Sequence, residues 1–280
     1  MFGLCGALSG PWMVATWSDN DDELSVLRLL GRVGLVILFN WSNLFIFDLA
    51  NQRLPESAAE DALVALTATG RLLNKPWRPV PSGLITSDQI QRLMLYLIPL
   101  VVVFNHVVLG VGIESLAIMV LTWLYNDLRG GDDHYITRNA IIGTAFSIYN
   151  TGSVRVAVGV NTTRGGGLVS VVIFTTMQVQ DLQDVEGDRA RGRRSAPILM
   201  GNWPARWSVA APMLLWPAAC AWFWGAGIVL SGPQIALGTL VAVRSLWYSG
   251  LLADKLTWRL WCLWTAMLYM LPPLCYHFGT

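Results

Sequence analysis

Hydrophobic residues in this chain are gathered into long runs, and the runs are separated by shorter polar segments. A membrane-spanning α-helix needs roughly 20 apolar residues, so runs that approach this length predict helices that cross a bilayer. The runs lie near residues 33–51, 90–109, 111–127, 139–158, 167–182, 207–230, 233–252 and 260–277. Residues 1–20 begin with a further apolar stretch that glycines and a proline interrupt, which indicates a shortened first helix. The pattern predicts an all-α membrane bundle of about eight to nine transmembrane helices.

Composition agrees with a membrane protein and narrows the possible functions. Of the 280 residues, 54% are hydrophobic and 13% are charged, whereas soluble domains carry about 25% charged residues. The net charge of +1 gives no basic surface of the kind that nucleic-acid binding needs. The four cysteines lie far apart and form no pattern typical of disulfides or zinc sites. We therefore expect residues 1–280 to form a single domain in the lipid bilayer, with no obligate protein partner.

Positively charged residues occur in every second loop. The turns near residues 110, 162 and 231 hold between them a single cation, Arg164, whereas the loops that alternate with them are basic. Cytosolic loops of membrane proteins carry such an excess, so the basic loops are assigned to the cytosol. Two of them, 53–89 and 183–206, are long, and we expect them to cap the bundle.

The most informative polar segment follows the run 167–182. Asp181, Asp184 and Asp188 fall at i, i+3 and i+7, so they would share one face of an α-helix. Like charges at a membrane boundary need a shared cation, because otherwise one of them would be protonated. Converging carboxylates suit Mg²⁺, which usually also binds the phosphate oxygens of a substrate. The segment predicts a Mg²⁺ site for a diphosphate, because a solvated helix end would not explain the deeper Asp181.

A polar stripe earlier in the chain, the first polar stripe, lies on the run 33–51. Asp48, Asn51 and Gln52 fall at i, i+3 and i+4, and Asn40 and Asn43 continue the stripe toward the membrane interior. One carboxylate and neighbouring amide oxygens can share a Mg²⁺ ion, although more weakly than three carboxylates. The stripe is equally typical of a polar seam between packed helices. Both interpretations stay open on the sequence alone.

A third polar group surrounds the loop at 128–138. It consists of Asn126, Asp127, Arg129, Asp132, Asp133, Arg138 and Asn139. Its residues form either a simple cytosolic turn or part of the pocket. The cations of the long loops also have two interpretations. They could bind a diphosphate, or they could serve only to set the membrane topology. These cations are Lys75, Arg78, Arg193 and Arg194.

Two multi-residue patterns resemble the motifs of a known family. The acidic segment that contains Asp181, Asp184 and Asp188, called the second acidic segment because it follows the first polar stripe in the chain, continues as Asp184-x-Glu186-Gly187-Asp188-x-x-x-Gly192-Arg193-Arg194-Ser195, followed by Pro197 and Gly201. The first polar stripe is followed by Asn74-Lys75-Pro76-Trp77-Arg78-Pro79. These patterns and their spacing resemble the UbiA superfamily of intramembrane prenyltransferases over most of the chain. The resemblance implies a helical bundle around a central cavity open to the cytosolic face, and a polyprenyl diphosphate substrate held through Mg²⁺.

Within the superfamily, residues 43–52 and Tyr125-Asn126-Asp127-Leu128 look most like the fungal membrane-bound terpene cyclases. That likeness implies an enzyme of the endoplasmic reticulum that ionises farnesyl diphosphate and cyclises the allylic cation to a sesquiterpene. The implied catalytic residues are Asp48, Asp184 and Asp188, which hold Mg²⁺ with assistance from Asn51, Gln52 and Asp181. The implied diphosphate-binding residues are Lys75, Arg78, Arg138, Arg193 and Asn126.

The chain also departs from the family pattern, and two other functions stay open. The family's first motif has an acidic residue where this chain has Gln52, and the usual first helix is shortened. The main alternative is a UbiA-type prenyltransferase that moves the polyprenyl group onto an aromatic or quinone acceptor. The further alternative is a non-enzymatic transporter, which predicts polar residues along the whole membrane crossing instead of on one side.

Overall fold

Helices follow one another through the described parts of the chain. The computed structural model describes residues 26–54, 78–158 and 164–278, and every regular element in these ranges is helical. The long helices are α1 (Val26–Gln52), α2 (Ser87–Val107), α3 (Gly112–Asn126), α5 (Tyr135–Val158), α6 (Arg164–Thr176), α9 (Asn202–Phe223), α10 (Ile228–Trp247) and α11 (Leu251–Phe278). The short ones are α4 (Gly130–Asp133), α7 (Val185–Arg191) and α8 (Ala196–Met200). A 3₁₀ helix, Met177–Gln183, joins α6 to α7.

The all-α class predicted from the hydrophobic runs is confirmed. Each predicted run overlaps one of the long helices. Among the described residues, three segments are long and apolar enough to cross a membrane, namely Gly31–Gln52, Ser87–Val107 and Ile228–Trp247. The full number of crossings, about eight to nine, stays a prediction. The shortened first helix expected in residues 1–20 lies outside the described part of the chain.

Two predicted turns in the C-terminal half are wrong in position. The turn expected near residue 231 lies at 224–227, and the loop expected between the runs 233–252 and 260–277 is replaced by a turn at 248–250. Gly225 and Gly250 have φ angles of 67° and 113°, which glycine adopts more readily than other residues. Pro233 lies inside α10 instead of ending a helix. Hydropathy misplaced these turns because the residues around the two glycines are nearly as apolar as the helices.

The predicted run 167–182 continues through two kinds of helix. α6 ends at Thr176, and the 3₁₀ helix carries the chain on to Gln183. A 3₁₀ helix rises more per residue than an α-helix, so the two together span roughly 30 Å, the thickness of a bilayer core. The segment 183–206, expected as a loop, contains α7, α8 and the start of α9. The polar end of the bundle is therefore built largely from short helices.

Buried apolar side chains form separate packed groups within the described chain. The largest group joins α6, the 3₁₀ helix, α9, α10 and α11, and includes the fully buried Trp261 and Trp264. A second group, which includes Phe39, packs α1 against α3 and α5. A third packs α1 against α2 through residues such as Ile46 and Met94. α1 therefore packs on three other helices, and its contact with α2 lies next to its polar end.

Asparagine and serine side chains form a hydrogen-bonded seam inside the N-terminal helices. Asn105 Nδ2 donates to Ser115 Oγ at 2.9 Å, and Ser115 Oγ donates to Asn43 Oδ1 at 2.7 Å. Asn40 Nδ2 donates to Ser153 Oγ at 2.8 Å. For Asn40 and Asn43, the structure therefore shows the polar seam that the sequence offered as an alternative to metal binding.

A buried arginine joins the ends of α9, α10 and α11. Arg206 Nη1 and Nη2 donate to the two carboxylate oxygens of Asp254, each at 2.9 Å. Nη1 also donates to the carbonyls of Ser245 at 2.9 Å and Tyr248 at 3.1 Å. The side chains of Arg206 and Asp254 are only 4% and 2% exposed, so neither charge can turn to water when the other is removed.

We predict that Asp254→Asn lowers the free energy of unfolding by about 3 kcal/mol, because it leaves a buried guanidinium without its counter-charge. Thermal or denaturant melting of the protein in detergent would measure this loss. Asp88→Asn is a matched control, since Asp88 also lies in the first turn of a long helix but is exposed. The control should cost less than about 1 kcal/mol. Equal stability of the two variants would contradict the role given to Arg206.

Candidate active site

The C-terminal ends of α1 and α3 meet at one end of the bundle. Asn51 Nδ2 donates to Asn126 Oδ1 at 3.2 Å, and Arg53 forms an ion pair with Asp127. Asn126 is buried, and its Nδ2 donates to the carbonyl of Thr122 at 3.0 Å. The first polar stripe and the third polar group of the sequence therefore lie side by side.

Asp48 and Gln52 lie on the last turns of α1. The Asp48 side chain is exposed. Gln52 Oε1 is buried and accepts no hydrogen bond. Buried polar atoms nearly always have a partner in folded proteins, and an exception is one way in which an ion or ligand site shows itself.

The second acidic segment is not the single α-helix that its spacing suggested. Asp181 lies in the 3₁₀ helix and Asp188 in α7, and Asp184 stands between them with φ −116° and ψ 19°. The chain stays compact through this break, because the Asp184 amide donates to the Asp181 carbonyl at 3.2 Å. Asp181 and Asp188 are buried and Asp184 is exposed. Asp188 Oδ2 is a second buried oxygen that accepts no hydrogen bond.

Arg138, near the start of α5, forms an ion pair with Asp181. The two side chains are 1% and 2% exposed, so the pair is shielded from solvent. One oxygen of Asp181, a predicted assisting ligand of Mg²⁺, is therefore engaged by a guanidinium. Arg138 Nε is buried and donates no hydrogen bond. The ion pair fixes the arginine while this N–H stays available to an anion.

Arg193 connects the second acidic segment to the turn that follows α3. Its Nη1 donates to Asp188 Oδ1 at 2.9 Å and its Nε donates to Asp132 Oδ1 at 3.2 Å. Arg191 Nε also donates to Asp132 Oδ1, at 2.8 Å. No specific role for Asp132 was predicted from the sequence, because nothing in the pattern distinguishes it from the adjacent, exposed Asp133.

Two predicted diphosphate-binding residues belong to the loop 53–89. Lys75 lies outside the described residues. Arg78 begins a described turn, is half-buried, and its carbonyl accepts a hydrogen bond from the Ser82 amide at 3.0 Å. The contacts above thus join Asn51 to Asn126, Arg138 to Asp181, and Arg193 to Asp188.

The side chains at this end of the bundle fit a Mg²⁺-bound diphosphate. Mg²⁺ binds carboxylate and amide oxygens together with substrate phosphate oxygens, and Gln52 Oε1 and Asp188 Oδ2 are unpaired oxygens of these types. Guanidinium groups suit phosphate, and Arg138 Nε is an unpaired donor. In the described part of the chain, no three His, Cys, Asp or Glu side chains converge as a metal site by themselves. Phosphate oxygens would therefore complete the coordination of a metal bound here.

Characterised proteins resemble this chain in sequence. The fumagillin beta-trans-bergamotene synthase af520 of Aspergillus fumigatus is 28% identical over 195 residues, which cover 67% of this chain and 62% of that protein. Polyprenyl transferase eriF of Hericium erinaceus is 28% identical over 230 residues, which cover 79% of this chain and 72% of that protein. The chain thus spans less than two-thirds of the length of the Aspergillus protein and more than two-thirds of the length of the Hericium protein.

A solved structure shares the fold, and a family match covers most of the sequence. The structure of a UbiA homolog from Archaeoglobus fulgidus, bound to DMAPP and Mg²⁺, has a TM-score of 0.61 to this chain at 14% identity. The likeness covers 98% of this chain and 95% of that one. At this identity it supports the arrangement of helices and nothing finer. Residues 13–263 match the UbiA prenyltransferase family, and the chain therefore belongs to that family of membrane proteins.

Proposed function

We propose that this protein is a Mg²⁺-dependent, membrane-bound terpene cyclase. Its expected substrate is farnesyl diphosphate, which it ionises before the allylic cation closes to a sesquiterpene. The proposal rests mainly on three buried, unpaired atoms, which are Gln52 Oε1 on the first polar stripe, Asp188 Oδ2 in the second acidic segment, and Arg138 Nε beside that segment. Two oxygens and a guanidinium nitrogen are complementary to a metal-bound diphosphate. The synthase activity named for the Aspergillus relative supports the cyclase assignment.

Carboxylates from two parts of the chain hold Mg²⁺ in this proposal. The ligands are Asp48, Asp184 and Asp188, with Asn51, Gln52 and Asp181 assisting. The chemistry supplied by bound Mg²⁺ is neutralisation of the charge that builds on the departing diphosphate. Asp181 has one oxygen on Arg138, so it contributes to the site both as a carboxylate and by positioning that arginine.

Arginines already held by carboxylates bind the diphosphate. Arg138 and Arg193 are fixed in this way, and Lys75, Arg78 and Asn126 complete the group. As the bond between C1 and the diphosphate oxygen breaks, its electron pair stays on that oxygen. Fixed guanidinium groups stabilise this charge without having to reorganise. A double bond of the same prenyl chain captures the allylic cation, and loss of a proton then gives the hydrocarbon.

We infer that the site opens to the cytosolic face of the endoplasmic reticulum membrane. The segment beside it carries an excess of arginine, which is typical of cytosolic loops. Around the site, the helices enclose a central apolar cavity in this proposal. Exclusion of water matters there, because water would otherwise capture the allylic cation.

A UbiA-type prenyltransferase is the second candidate. The Hericium relative, named a polyprenyl transferase, matches a larger share of this chain than the Aspergillus synthase does. A transferase would ionise the diphosphate at the same residues and pass the prenyl group to an aromatic or quinone acceptor. The two candidates therefore differ only in what captures the cation.

A transporter agrees less well with the contacts inside the bundle. Such a protein needs polar groups that are available to its cargo along the membrane crossing. The interior amides of Asn43 and Asn105 are instead joined through Ser115, and all three side chains are fully buried. We therefore do not favour transport.

We predict that Asp188→Asn slows pyrophosphate release from farnesyl diphosphate on the order of a hundredfold or more, because an amide cannot balance the charge of the metal. Release would be followed with a coupled pyrophosphatase assay on protein in detergent with excess Mg²⁺. Asp133→Asn makes the same chemical change at an exposed position of the same end and should keep the normal rate. Melting curves of both variants would separate loss of activity from loss of fold. A normal rate in Asp188→Asn would overturn the proposed metal site.

We further predict that farnesyl diphosphate and Mg²⁺ suffice for turnover, with no acceptor present. Gas chromatography with mass spectrometry should detect a cyclic hydrocarbon, and its formation should stop when the metal is chelated. If the substrate were consumed only after an aromatic or quinone acceptor was added, the prenyltransferase would be the correct assignment.

A further inference from the structure

Asp132 lies on a rigid turn packed against α3. Arg129, which precedes α4, has φ 59°, the only positive φ of a non-glycine residue in the described ranges. A Cβ on Gly130 would come within 2.8 Å of the Leu124 carbonyl oxygen, and one on Gly131 within 2.7 Å of the Tyr125 ring. The turn therefore approaches α3 more closely than residues with side chains would allow. A strained backbone held by close packing is typical of positions where a side chain must be placed accurately.

Two arginines at the C-terminal end of α7 and just after it donate hydrogen bonds to the carboxylate of Asp132. Arg191 donates through Nε to Oδ1 at 2.8 Å and through Nη2 to Oδ2 at 3.3 Å. Arg193 donates through Nε to Oδ1 at 3.2 Å. The backbone amide of Arg194 also donates to the Asp132 carbonyl at 2.9 Å. The side chains are 10%, 3% and 13% exposed for Asp132, Arg191 and Arg193, so this junction lies mostly away from solvent.

The two arginines differ in what else they contact in this junction. Arg193 reaches from Asp132 to Asp188, where Nη1 donates to Oδ1 at 2.9 Å. The backbone amide of Arg193 also donates to the Asp188 carbonyl at 2.8 Å. One guanidinium is therefore shared between a carboxylate of the turn and a carboxylate of the second acidic segment. Arg191 makes the paired contacts with Asp132 that are expected of a structural clamp.

We propose that Asp132 is a positioning residue of the active site, and that it acts through Arg193. By drawing the guanidinium partly away from Asp188, it keeps that carboxylate available to Mg²⁺ and places the arginine where a diphosphate would arrive. The inference rests on the proposed function, because it assumes that Asp188 binds the metal. Without Asp132, Arg193 would pair more closely with Asp188 and would compete more strongly with Mg²⁺.

The test uses the full chain in detergent and inorganic pyrophosphate as the probe. The rise in melting temperature is measured against Mg²⁺ concentration at a fixed pyrophosphate concentration. We expect Asp132→Asn to raise the Mg²⁺ concentration for half-maximal stabilisation on the order of tenfold. Asp133→Asn, the same change at the adjacent exposed position, should leave it unchanged. Equal Mg²⁺ requirements in these two variants would overturn the inference.

A double-mutant cycle separates positioning from a general effect on folding. In an Arg193→Gln background, Asp132→Asn should produce no further change in the Mg²⁺ requirement, because the residue through which it acts is gone. An additive effect would show that Asp132 acts by another route and would overturn the inference. Arg191→Gln should lower the melting temperature of the protein without pyrophosphate and leave the Mg²⁺ requirement near normal. A large shift in that requirement would likewise overturn it.

Two cases need separate measurements: a variant that does not fold, and an unaltered protein that Mg²⁺ and pyrophosphate do not stabilise. If Asp132→Asn does not give folded protein, Asp132→Glu keeps the charge and moves the oxygens, and a several-fold rise in the Mg²⁺ requirement is expected. No rise in that variant would overturn the inference. If the unaltered protein is not stabilised by Mg²⁺ and pyrophosphate at all, the proposed function fails, and the inference fails with it. Stabilisation of the unaltered protein with no difference between the variants overturns the inference alone.

Discussion

Ion pairs between arginine and aspartate hold the polar end of this bundle together. Arg53 joins α1 to the turn after α3, Arg138 joins α5 to the 3₁₀ helix, and Arg193 joins α7 to α4. Carboxylates crowded at a membrane boundary repel one another unless positive groups balance them. The arginines supply this balance here. Through them the second acidic segment is held against α4 and α5.

The same charges serve folding and, in the proposed mechanism, ionisation of the substrate. A guanidinium already fixed by a carboxylate loses little conformational freedom when a phosphate approaches. Its electrostatic field is therefore in place before negative charge develops on the departing diphosphate. Apolar contacts also hold α1 in place, because its middle packs on α3 and α5 and its C-terminal part packs on α2. The packing on α2 lies next to the end of α1 that carries Asp48 and Gln52.

Predictions from the sequence were confirmed for the helical class and for the family, each of which depends on a strong local pattern. Long apolar runs identified the helices, and the two motifs identified the family. The turns around Gly225 and Gly250 were misplaced because flanking residues of similar hydropathy hide a backbone change that only φ reveals. The break at Asp184 was missed for a related reason, since a spacing of i, i+3 and i+7 does not say whether the helix continues.

The sequence by itself determined the helical class and the positions of the first polar stripe and the second acidic segment. Apolar runs and local motifs are properties of neighbouring residues, so they can be read along the chain. Only the tertiary structure decided which charges meet. Arg138 and Asp181 are 43 residues apart in the chain, and Arg193 and Asp132 are 61 apart. It also assigned Asn40 and Asn43 to a seam, and it buried Asp132 while leaving Asp133 exposed. Such choices depend on how helices pack in space, and a pattern read along one chain carries no record of that packing.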